Sequence, residues 1–146
     1  MSTSASVNPA LVVAAILSAL AAALHVAIIL NGAPWYRFFG AGEDMARAAE
    51  MGRRFPAIVT AAIAIVLALW SAYALSAAGA LPPLPLLKPA ISAITLVYLL
   101  RGLVLVPVLV MPRGPSTTFF MWSSIICLVF AATHLVGLLQ VWPRLP

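Results

Sequence analysis

Four uncharged or nearly uncharged apolar runs, each long enough to cross a bilayer as a helix, constrain this 146-residue chain more than any other feature. A hydrocarbon core of about 30 Å takes roughly 20 residues of helix. The runs extend over about Pro9–Leu30, Phe55–Ala78, Leu87–Met111 and Thr118–Trp142, and only the third holds a charge, Arg101. Together they predict an all-α integral membrane four-helix bundle, up-down-up-down. It forms one domain over residues 1–146, with little chain left for anything outside the membrane. The first run has no basic residue before it and exceeds the 7–15 apolar residues of a signal-peptide core, so it reads as a retained span.

Composition excludes several classes. Apolar residues make up 64% of the chain and charged residues 8%, against about 45–50% and 25% in ordinary soluble domains. That leaves too little polar surface for a soluble enzyme, and no basis for a disordered tail. The formal charge is +5, but the positive residues are scattered and mostly flank apolar runs, as in orientation signals, so no nucleic-acid partner is expected. Cys127 is the single cysteine; it allows no internal disulfide and reads as a small core hydrophobe.

Proline and glycine mark the connections. Asn31-Gly32-Ala33-Pro34 stops the first helix, Gly79 and Pro82-Pro83-Leu84-Pro85 end the second, and Pro112, Gly114 and Pro115 separate the last two. Short connections favour antiparallel neighbours. The long connection, residues 31–54, carries the aromatic cluster Trp35, Tyr36, Phe38 and Phe39. It runs through Gly40-Ala41-Gly42 into a short helix expected to begin near Glu43 and close at Gly52. Glu43 with Arg47 and Glu50 with Arg54 have the i,i+4 spacing of helical ion pairs. This element reads as an interfacial or re-entrant helix. Arg37, Arg47, Arg53, Arg54 and Arg113 lie at the end holding the long loop, against Lys88 and Arg144 at the other. The positive-inside rule then makes the loop cytoplasmic and puts both termini outside, as in a bacterial inner (plasma) membrane protein. Trp35, Tyr36 and Trp122 fit an interfacial belt at the loop end, and Trp142 one at the other.

Small residues mark the faces on which helices approach. The second span has Thr60, Ala64, Ala68, Ala72 and Ser76 at i,i+4; the first has Ala14, Ser18 and Ala22, with His25 beyond; the fourth has Ser124, Cys127, Ala131 and His134. Arg101 is the residue out of place. An arginine near a span centre costs about 2.5–3.5 kcal/mol on insertion scales, and it cannot deprotonate. Gly102 leaves room beside it. Pro107 lacks the N–H that would bond Leu103, so a kink is expected there. No span contains an acid, since Glu43, Asp44 and Glu50 all lie in the long loop. Either the loop returns a carboxylate to Arg101 or an anionic ligand does. The expectation is one polar pocket of His25, Glu43, Tyr98 and Arg101, with Trp70 and Trp122 around the apolar part of a ligand.

Cofactor signals are absent. His25 and His134 lie roughly 10 Å apart in depth at about 1.5 Å per residue, which argues against bis-His haem ligation. No His/Asp/Glu cluster has metal-ligand spacing, and no catalytic residue set is recognisable. The leading expectation is therefore a protein binding or transporting an amphipathic or anionic small molecule or lipid. The alternatives are an accessory or scaffold subunit, as a homo-oligomer or in a larger membrane complex, and a lipid-modifying enzyme using Glu43 or His25 as acid/base.

Overall fold

A computed structural model describes residues 7–110 and 117–146. Arg113, the end of the third run at Met111 and the turn through Pro112, Gly114 and Pro115 lie outside the described residues. So does most of the N-terminal tail. Among the described residues all regular structure is helical. The helices are α1 Pro9–Asn31, α2 Ala33–Phe38, α3 Glu43–Glu50, α4 Phe55–Ala77, α5 Leu87–Leu103, α6 Leu105–Val110 and α7 Thr117–Val141, followed by a 3-10 turn at Trp142–Arg144. Four helical stretches, Pro9–Asn31, Phe55–Ala77, Leu87–Val110 and Thr117–Arg144, are long and apolar enough to cross a membrane.

The ends of these helices follow from local chemistry. Asn8 caps α1, its side-chain oxygen accepting from the Leu11 N–H at 3.0 Å. Helix α3 closes as the glycine signal requires: Gly52 takes φ +70°. Its N–H bonds the Ala49 carbonyl and the Arg53 N–H bonds the Ala48 carbonyl, a Schellman closure that satisfies two terminal carbonyls. The expected kink near Pro107 is a break. The third span is interrupted at Val104, one residue past the Leu103 carbonyl that Pro107 leaves without its donor.

The long helices form a bundle in which α1 packs on α4 and α7, and α5 packs on the same two. Their buried positions step alternately by four and three residues: Leu11, Ala15, Ser18 and Ala22 on α1; Thr60, Ala64, Leu67, Ser71 and Ala74 on α4; Leu87, Ile91, Ile94 and Tyr98 on α5. On α7 the seam runs through Ala131, His134, Leu138 and Val141. A spacing of 3.5 residues is the left-handed coiled-coil seam. This corrects the ladder expected on the second span, where Ala68 is exposed and Ala72 only half-buried. Each i,i+4 step advances about 40° around a helix of 3.6 residues per turn, so a five-member ladder winds off the contact face. Small residues let the backbones approach: the Ser71 hydroxyl donates to the Ala15 carbonyl at 2.8 Å. A Cβ on Gly137 would lie 2.5 Å from Leu11 Cγ, and one on Gly102 2.6 Å from Leu128 Cδ2.

The long loop is more ordered than an aromatic linker. Helix α2 docks with α3 on the ends of α1 and α4 through Ile28, Ala33, Tyr36 and Ala46. Tyr36, expected at the membrane surface, is 2% exposed. Its hydroxyl lies 3.2 Å from that of Thr60, which donates to the Pro56 carbonyl at 2.8 Å. A polar handle satisfied inside the protein lets the ring contribute apolar burial, so it is not left to the interface.

Candidate functional site

Arg101 lies two residues before the end of α5, where Gly102 brings that helix against α7. The guanidinium turns onto α7: Nη2 donates to the Ser123 hydroxyl at 2.7 Å and Nη1 to the Ser124 hydroxyl at 3.2 Å. The Phe120 ring sits 5.9 Å from the guanidinium carbon. Ser124 is fully buried. Among the described residues no carboxylate meets this cation, and the ion pairs of Glu43 and Glu50 are made with Arg37 and Arg47. Two neutral hydroxyls satisfy N–H donors but cancel no charge.

Glu43 does not reach Arg101. Its carboxylate takes a two-pronged bond from Arg37, 2.9 Å from Nε and 2.9 Å from Nη2, and a third from Arg47 Nε at 3.1 Å. Arg37 Nη1 also donates to Glu50 at 2.6 Å. The Glu43–Arg47 pair has the expected spacing, whereas Glu50 pairs with Arg37 and not with Arg54. Arg37 holds the Glu43 carboxyl down to about 2, with Arg47 adding to the effect, and lowers that of Glu50. Its own guanidinium is pushed further up by the two glutamates. Partial exposure makes these pairs weak in stability terms; their consequence is that Glu43 stays ionised and spoken for, a poor general acid.

A cavity of about 700 Å³ lies between α2 with its following turn and the first turns of α7. Arg37, Phe38, Phe39, Gly40, Gly42 and Glu43 line one side; Thr118, Phe119, Trp122, Ser123 and Ile126 line the other. Two of the expected site residues, Glu43 and Trp122, are therefore here, and Arg101 is attached to the wall through Ser123. Gly40 holds the two sides close: it has φ +69°, and a Cβ there would stand 2.4 Å from Phe119 Cδ2.

The other expected residues lie elsewhere, so the single four-residue pocket is divided. Tyr98 is in the bundle core, its hydroxyl 3.0 Å from that of Ser18, with Trp70 and His134 rings 5.0 Å from its own and Phe130 at 5.2 Å. Trp70 thus packs on Tyr98, away from the cavity. His25 is half-buried on α1, its Nδ1 donating to the Ala21 carbonyl at 2.7 Å. His134 is fully buried and bonds the Phe130 carbonyl through Nδ1 at 2.8 Å. Its Nε2 has no partner among the described residues. No group of three metal-ligating side chains occurs among the described residues.

Arg37, Ser123 and Thr118 also line the cavity, although they are not among the residues expected there. A signal existed for Ser123-Ser124: paired hydroxyls within an apolar run, near an arginine of the preceding span. No known protein family matches the chain, and neither does any curated protein or solved structure.

Proposed function

We propose that this chain is a plasma-membrane protein that binds, or carries across the bilayer, an amphipathic anionic small molecule or lipid, held in the cavity between α2 and α7. One observation carries the reading. Arg101, a permanent cation within an apolar span, bonds two neutral serine hydroxyls, and one of those serines lines the cavity. Ligand sites combine apolar walls with a few converging polar groups, and here Phe38, Phe119, Trp122 and Ile126 surround Ser123.

In this reading the spans form one unit running up-down-up-down. Three contacts support that course: Asn8 N–H to the Ala78 carbonyl (2.9 Å), Asn8 to Gln140 (2.8 Å), and Lys88 over the Trp142 ring (4.5 Å). Each joins the start of one long helix to the end of a neighbour. The loop with Arg37, Arg47, Arg53 and Arg54 then faces the cytoplasm, with both termini outside.

The test uses protein in an uncharged maltoside detergent, titrated with a brominated fatty acid whose heavy atom quenches tryptophan. Saturable quenching is expected in the wild type. Arg101→Gln is expected to weaken it about tenfold or more, as charge-assisted bonds contribute about 1.5–3 kcal/mol. Arg101→Lys, which keeps the charge, is expected to fall between the two. Equal affinity in all three proteins contradicts the reading.

A further inference from the structure

We infer that the ligand is an anionic lipid, with a phosphodiester headgroup of one net negative charge, that enters the cavity sideways from the bilayer; this rests on the binding reading above and specifies its ligand. Charge defines the headgroup. Arg37 and Arg47 are matched by Glu43 and Glu50 in one ion-paired cluster, which is neutral in sum. Among the described residues Arg101, bonded to the lining Ser123, is left as the unmatched charge beside the cavity, and it complements a single negative charge, as on a phosphodiester.

The donor is Ser123. Its hydroxyl accepts from Arg101 at 2.7 Å, while its contact with the Phe120 carbonyl is long at 3.4 Å. Accepting from a cation polarises that O–H towards a second acceptor, and a phosphodiester oxygen in the cavity is a stronger acceptor than a distant carbonyl.

The route of entry follows from what is exposed. Phe38, Trp122 and Ile126 line the cavity, yet they are 83%, 58% and 51% exposed. A mouth of exposed aromatic and aliphatic side chains repels a hydrated free anion and suits an amphiphile whose tail stays in hydrocarbon. The charged end of the cavity, at Arg37 and Glu43, belongs to the loop, and its apolar end, at Ile126, lies on a membrane-spanning helix. The site is a half-open groove of about 700 Å³, within the size range of small-molecule sites. It holds a headgroup and the first part of a chain, with the rest lying along Ile126.

The experiment is native mass spectrometry of the full chain released from an uncharged detergent containing equal phosphatidylglycerol and phosphatidylcholine. Retention of phosphatidylglycerol at least fivefold over phosphatidylcholine is expected, lost in Arg101→Gln and reduced about threefold in Ser123→Ala. Millimolar glycerophosphoglycerol, the same phosphodiester without acyl chains, is expected not to displace it. Equal retention of the two lipids overturns the anionic headgroup, and displacement by glycerophosphoglycerol overturns the bilayer source. Binding of the brominated fatty acid without phosphatidylglycerol retention overturns this inference and leaves the broader reading standing; failure of both overturns both. Arg101→Lys, expected to keep part of the retention, separates loss of charge from loss of fold.

Discussion

Arg101→Leu is expected to give a third span that enters membranes more readily and a protein that no longer binds the proposed anionic ligand. On insertion scales a central arginine costs about 2.5–3.5 kcal/mol, while leucine contributes about 0.3–0.6 kcal/mol favourably. The substitution is therefore expected to ease insertion by about 3 kcal/mol, measured as the inserted fraction of the Leu87–Val110 segment in a glycosylation-mapping assay. Within the bundle the losses are small. Two serine contacts disappear, and hydrogen bonds in membrane bundles average only about 0.6 kcal/mol. The freed hydroxyls lie on α7 with helix carbonyls in reach, as the Ser123 contact with Phe120 already shows. A residue that hinders insertion and adds little to packing fits the proposed role of Arg101 in anion binding better than a role in holding the bundle together. Unchanged insertion would mean that the guanidinium does not lie at membrane depth.

Gly137→Val is expected to destabilise the bundle by about 1–3 kcal/mol, the usual cost of overpacking. The new Cβ would lie 2.5 Å from Leu11 Cγ and 3.1 Å from the Leu11 backbone nitrogen. Leu11 is fully buried, and its N–H is held by the Asn8 cap, so neither side chain nor backbone can withdraw cheaply. Moving α1 outward instead breaks the Asn8–Gln140 bond. Removing a helical glycine brings a compensating gain, up to about 1 kcal/mol for alanine and less for a β-branched residue. Valine is therefore the more damaging substitution and alanine the milder one. Thermal unfolding in mild detergent measures both; a valine variant as stable as wild type contradicts the contact between α1 and α7.

Much of the architecture is legible in the residues because it depends on neighbours in sequence. Apolar length sets the four spans, Gly32 and Gly79 stand just beyond helix ends, Gly52 closes α3, and Pro107 breaks the third span. Contacts between distant segments are less legible. Side chains facing lipid and side chains facing the bundle are equally apolar, so hydrophobicity does not distinguish Ala68, exposed, from Ala64, buried. The 3.5-residue seam emerges only once partners are fixed. Helix α2 was hidden by its aromatics, which read as interfacial anchors until Tyr36 is seen bonded near Thr60. Arg101 stands out in the sequence as an unmatched cation, but its surroundings do not. Glu43 has Arg37 six residues away and takes it, whereas reaching Arg101 would require the loop to enter the bundle. The serines that Arg101 does meet lie on the next span, across a register that only packing defines.

Photolabelling tests the central claim most directly, since it reports where an anionic amphiphile sits and not only whether it binds. A fatty acid with a diazirine beside its carboxylate would be irradiated with the protein in uncharged detergent, and the labelled peptides mapped. Labels are expected to concentrate on residues 37–43 and 118–126, and to be absent from those segments in Arg101→Leu. Labels spread over outward side chains such as Leu20, Leu69 and Leu139, unchanged by that substitution, would contradict it.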